Sequence, residues 1–210
     1  MTSSRSSAGL IIASLGLAFA LWYAVFGWSS GIFWVKIALA AALLAAISLA
    51  VMGDARVQLK GIKARDVKLG LGSAVLLYAV FWVGQLVLTA LFPEAADSEI
   101  GRVYAPRDET SLWIIAALLL FVTGPSEEIY WRGYLQRVLM QRAGPAMGWI
   151  LATAAYALVH IWTLNVPLIL AAFTAGLVWG WIYLMERRLL PVIISHAVWS
   201  VAIFVFLPVH

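Results

Sequence analysis

Seven long apolar runs, divided by short polar connections, constrain this 210-residue chain more than any other feature. A helix needs roughly 20 mostly apolar residues to cross the hydrocarbon of a bilayer. The runs are Gly9 to Trp28, Ile32 to Met52, Leu69 to Phe92, Leu112 onward, Ala146 to Trp162, Leu168 to Met185 and Leu189 to Leu207. Hydrophobic residues make up 64% of the chain and charged ones 11%. Soluble domains have about 45–50% and ~25%. The expected fold is therefore all-α, a polytopic transmembrane helical bundle of about seven spans. One integral membrane domain fills residues 1–210, multi-pass in the cell membrane, with membrane lipids as its surroundings. Residues 9–111 hold three helices and a polar loop, Pro93 to Ser111; residues 112–207 hold the polar groups that carry chemistry. The first run reads as an uncleaved helix.

Charge orients the bundle. With the N-terminus in the cytoplasm, ten of the 14 basic residues fall on that side and only Arg102 and Arg107 on the other. Lys36 and Arg132 lie within spans. Such a bias is the mark of cytoplasmic connections. The net charge of +4 needs no nucleic-acid partner. The absence of cysteine excludes disulfides and thiolate chemistry. The 11 tryptophans read mostly as interfacial anchors or lipid-facing bulk.

Within the fourth run stands the segment Thr123-Gly124-Pro125-Ser126-Glu127-Glu128-Ile129-Tyr130-Trp131-Arg132. Ionisable groups at membrane depth are costly and usually face a protein interior or a wet cavity. Glu128 and Arg132 are four apart and can pair on one helix face, whereas Glu127 points elsewhere. Pro125 is expected to kink the helix or to begin a new segment. His160 lies on the fifth run and His196 on the seventh, with Ser200 one turn after it. Glu127 or Glu128, His160, His196 and Ser200 can then converge on one cavity. Depth, counted from the basic residues, places Glu127 about 15 Å and His196 about 12 Å from the cytoplasmic boundary, but His160 nominally ~27 Å. The cavity is expected to open toward the cytoplasmic half of the bilayer.

A carboxylate and an imidazole can share a water molecule and take its proton as it attacks an amide carbonyl. A second imidazole and a hydroxyl can donate to the resulting oxyanion. Zinc is the less favoured alternative, with Glu127, His160 and His196 as ligands, because no His-Glu-x-x-His spacing is present. Blander readings stand beside these. Glu128 with Arg132 is also a buried structural pair, His160 a packed histidine, and Ser200 a small residue where helices touch.

Glu127-Glu128-x-x-x-Arg132, Tyr156-x-x-x-His160 and His196-x-x-x-Ser200, in that order on late helices, resemble the CPBP family. These are the CAAX proteases and bacteriocin-processing proteins, also called Abi, which are intramembrane endopeptidases. The resemblance spans about Leu112 to Leu207. It implies that Glu127 is the base that activates water, helped by His160, that His196 and Ser200 form the oxyanion hole, and that Glu128 and Arg132 support them. It implies no cofactor, if the glutamate-type mechanism holds. The family usually has Phe where Tyr156 stands and Asn where Ser200 stands. The expected function is hydrolysis of a membrane-associated peptide or a protein's C-terminal tail. A non-catalytic, bacteriocin-immunity-like peptide binder is the alternative. A proton-coupled transporter would predict symmetry between the halves, yet all three motifs lie in the second.

Overall fold

A computed structural model describes residues 8–52 and 58–209. Arg5, Arg56 and His210 lie outside them. Among the described residues the chain is helical throughout, as its composition requires. Helices α1 (Ala8–Phe26), α2 (Phe33–Val51), α3 (Ala64–Leu91), α5 (Leu112–Ala143), α6 (Pro145–Thr163) and α7 (Val166–Glu186) are long and apolar enough to cross a membrane. The last, α8 (Leu190–Phe206), is apolar but shorter. Exposed large hydrophobics such as Val75, Leu76, Trp82, Val83 and Val87 cover α3, while Glu127, Glu128, Arg132, His160 and His196 are buried. Apolar surface outside and ionisable groups inside is the arrangement a lipid solvent selects.

Two parts of the fold depart from the expectation. The segment Pro93 to Ser111 is not a loop. It forms α4 (Pro93–Tyr104) and a tight turn of 3-10 helix, Ala105–Glu109. Pro93 suits the first helical turn, and Ala96 buries itself against the bundle. The helix is tied down from both sides: Asn165 donates to the Glu99 carbonyl at 2.8 Å, and Trp34 to that of Pro106 at 2.7 Å. Helix α3 also begins before Leu69. The Asp66 carboxylate accepts the Lys63 amide at 2.8 Å and so caps the first turn. Arg188, in the α7–α8 turn, then clamps Asp66 at 2.6 Å, and Arg65 binds Glu186 at 2.6 Å.

Pro125 does not end α5, which runs on to Ala143. It stands in the first turn of a regular segment, Gly124–Glu128, and the helix widens on either side, over Leu119–Thr123 and again over Ile129–Gln136. The Gly124 amide reaches the carbonyl of Leu119, five residues back. A wider turn relieves the ring's clash with the preceding turn, and proline has no N–H to leave unsatisfied. Wide turns of this kind gather at functional sites.

Helix α6 packs between the end of α5 and α7, and α8 lies along α3 and the middle of α5. Glycines allow close approaches between helices. A Cβ on Gly148 would overlap the Met140 backbone in the α5–α6 hairpin. A Cβ on Gly124 would lie 3.0 Å from Cα of Ala197, where α5 meets α8.

Candidate active site

The α5–α6 hairpin removes the discrepancy in depth. Its turn is at Gly144, so Glu127 lies 17 residues before the turn and His160 16 after it. Both are then about 25 Å from the turn along antiparallel helices. Counting from Arg137 misled because α5 runs on to Ala143 as one rod.

Glu128 is fully buried and engaged through one oxygen, while its Oε2 has no partner among the described residues. Its Oε1 accepts from Arg132 Nη1 at 3.0 Å and from His196 Nδ1 at 2.7 Å. Gly124 makes the second bond reachable by letting α8 approach α5 one residue from His196. The Arg132 guanidinium lies between the rings of Tyr156, at 4.7 Å, and Trp179, at 5.5 Å. The Trp179 ring also stacks on His196, with centroids 4.0 Å apart and planes 16° from parallel. Its own N–H donates to Ser195 at 3.0 Å, and Ser73 of α3 donates to the same hydroxyl at 2.9 Å. His196 is thus held at one nitrogen and on one face, which leaves Nε2 for a substrate.

Glu127 is 6% exposed, and its Oε2 has no partner among the described residues. The Tyr156 hydroxyl is its side-chain partner. His160 ends α6 where the helix tightens over Val159–Thr163. Its Nδ1 lies 2.8 Å from the Tyr156 carbonyl, and Trp22 of α1 donates to its Nε2 at 3.3 Å. A carbonyl only accepts and an indole N–H only donates, so the ring is neutral and protonated at Nδ1.

Glu127, Tyr156, His160, His196 and Ser200 all line one cavity of about 380 Å³. The structure therefore brings together on three helices the four residues that the spacing singled out, with Glu128 and Arg132 just behind. Thr123, whose buried hydroxyl has no partner among the described residues, lines it too. Zinc fits this donor set poorly. Both His160 nitrogens are engaged and Glu128 takes Nδ1 of His196. Among the described residues no three His, Asp or Glu side chains are placed to hold an ion.

One expectation is sharpened and one needs correction. Most tryptophans are exposed or half-buried, as expected, but Trp22 and Trp179 are fully buried and touch the two cavity imidazoles. Spacing alone did not mark them, although Trp179 stands among small residues, Gly176 and Gly180, that let helices close on it. The mouth of the cavity is also at the other end of the bundle from the basic connections. Its rim includes Trp28, Ser29 and Gly31 between α1 and α2, Pro106 and Glu109 after α4, and Thr163 at the end of α6.

Residues 109–202 match the family model described as Rce1-like: Type II CAAX prenyl endopeptidase Rce1-like. All three motifs fall within the match, and the family supports a CAAX-type intramembrane protease. No curated protein and no solved structure matches the chain.

Proposed function

We propose, from that family match and the geometry beside it, that the chain is a glutamate-type endopeptidase of the cell membrane. It hydrolyses a peptide bond in a membrane-associated peptide or a protein's C-terminal tail. One observation carries the reading. Of two adjacent buried carboxylates, each with one oxygen lacking a partner among the described residues, Glu128 is held through its Oε1 by Arg132 and His196 and does not line the cavity, while Glu127 does.

Glu127 takes a proton from a water whose oxygen attacks the carbonyl carbon. The carbonyl oxygen becomes an oxyanion, which accepts hydrogen bonds from His196 Nε2–H and the Ser200 hydroxyl. Glu127 then returns the proton to the departing amine as the C–N bond breaks. His196 donates from Nε2 while Nδ1–H stays on Glu128, so it acts as the imidazolium. Two carboxylates, Arg132 and that imidazolium sum to zero charge, which suits a site removed from water. His160 is neutral and borders the same space as a positioning group. A larger apolar groove, about 710 Å³, shares Val103, Leu168, Ala171, Trp199 and Phe204 with the cavity wall. It offers room for an apolar part of the substrate beside the bond to be cut.

A positioned general base contributes about 10²–10⁴ in rate. Purified Glu127→Ala should lose cleavage of a susceptible peptide by at least that factor and keep its unfolding midpoint. Wild-type rates in this variant would reject the mechanism. The second reading, a binder that does not cleave, draws on Ser200 standing where the family has Asn. Ser200→Asn separates the two: the rate of an enzyme should change, whereas peptide affinity alone should leave a pure binder unmoved.

A further inference from the structure

We infer that the cavity opens to the extracytoplasmic side of the membrane, and that the peptide it takes is presented there. The two ends of the bundle differ in charge and in packing. At the closed end, around the Gly144 turn, the α7–α8 turn and the start of α3, stand Lys60, Lys63, Arg65, Lys68, Arg137, Arg142, Arg187 and Arg188. Of the acids at that end, Asp66 is bound by Arg188 and Glu186 by Arg65. At the mouth the balance is reversed. Glu94, Asp97, Glu99, Asp108 and Glu109 outnumber Lys36, Arg102 and Arg107. Basic connections stay in the cytoplasm, so the closed end faces inward and the mouth outward.

The interior gives the second, independent support. Between the glutamates and the basic end, the space is filled. Arg132 and Gln136 are buried, and Gln136 donates to the Gly180 carbonyl at 2.8 Å. Gly133 is pressed against Leu189, whose Cδ1 would lie 2.8 Å from a Cβ there. On the other side the cavity reaches exposed residues such as Trp28 and Ser29. The rim itself is fixed, because Glu109 accepts the Phe33 amide at 2.5 Å. A substrate has a way in from the acidic end and meets packed side chains from the basic one.

The claim about the peptide rests on the peptidase reading; the claim about the mouth does not. The chain has no cysteine, so single substitutions report cleanly. Ser29→Cys places a thiol on the rim and Ala143→Cys one at the closed end, both at exposed positions. In right-side-out membrane vesicles carrying the full chain, a membrane-impermeant maleimide should label Ser29→Cys at once and Ala143→Cys only after permeabilisation. Ser29→Cys that labels only after permeabilisation overturns the inference, whether or not the protein cleaves anything. In detergent, a bulky polyethylene-glycol maleimide on Ser29→Cys should suppress cleavage, while the same adduct on Ala143→Cys should not. Equal effects from the two adducts would remove the mouth from the rim assigned to it.

Discussion

Removing Arg132 tests the electrostatics of the site most directly. Its guanidinium is 3% exposed and the Glu128 carboxylate 0%, at 3.0 Å, so solvent screens the pair little. Breaking a buried pair by deleting one partner costs about 3–5 kcal/mol, chiefly because the other charge is left uncompensated. In Arg132→Met the two glutamates face a single imidazolium, one negative charge in excess. Glu128→Gln leaves the converse fault, a buried guanidinium whose amide partner carries no charge. Were the two effects independent, the double variant would lose about 6–10 kcal/mol. Removing both charges together leaves no orphan, so the double variant should lose about as much as one single. The coupling is then on the order of 3 kcal/mol. Unfolding midpoints in mixed micelles, titrated with a denaturing detergent, give all four corners of the cycle. Additive losses would show that the two side chains do not sense each other and would refute the account of Glu128 as the occupied carboxylate. All three variants should cleave peptide poorly, since each disturbs the bond that holds His196.

Other expectations follow from the same geometry. Gly124→Ala puts a methyl 3.0 Å from Cα of Ala197, so α5 and α8 must part. The cost should be about 1–3 kcal/mol, with cleavage falling further than stability does; an unaffected rate would mean that the approach does not set the Glu128–His196 bond. Trp22→Phe keeps the ring but loses the N–H on His160. Such bonds in membranes average about 0.6 kcal/mol, so the fold should hold while the ¹⁵N signal of His160 Nε2 moves; an unmoved signal counts against the contact. Dialysis against a chelator should leave cleavage intact, and zinc-dependent recovery after such treatment would overturn the metal-free mechanism.

Much of this was legible in the chain because two periods are simple. Runs of about twenty apolar residues can only be spans, and four-residue spacing puts Glu128 beside Arg132 whatever surrounds the helix. The remainder depended on tertiary facts with no local trace. Helix α4 carries three acids with few apolar positions between them, and only its seat on α3 and α7 makes it a helix rather than a loop. Trp22 and Trp179 have the same composition around them as tryptophans that face lipid. The end of the α5 rod at Gly144-Pro145 was legible in the sequence, and the depth of His160 came out wrong only because it was counted from the basic residues and not from that turn. The charge bias distinguishes the two ends of the bundle, but which end holds the opening is a matter of packing beneath Arg132.

Trp22 has one more consequence. It reaches His160 from α1, far upstream of residues 109–202, where the family pattern lies. A polypeptide cut back to that pattern would carry every motif and yet leave one imidazole without its indole companion and the rim without Ser29. The matched part is therefore not a transplantable unit, and grafting it onto another set of leading helices should yield a folded but poorly ordered site.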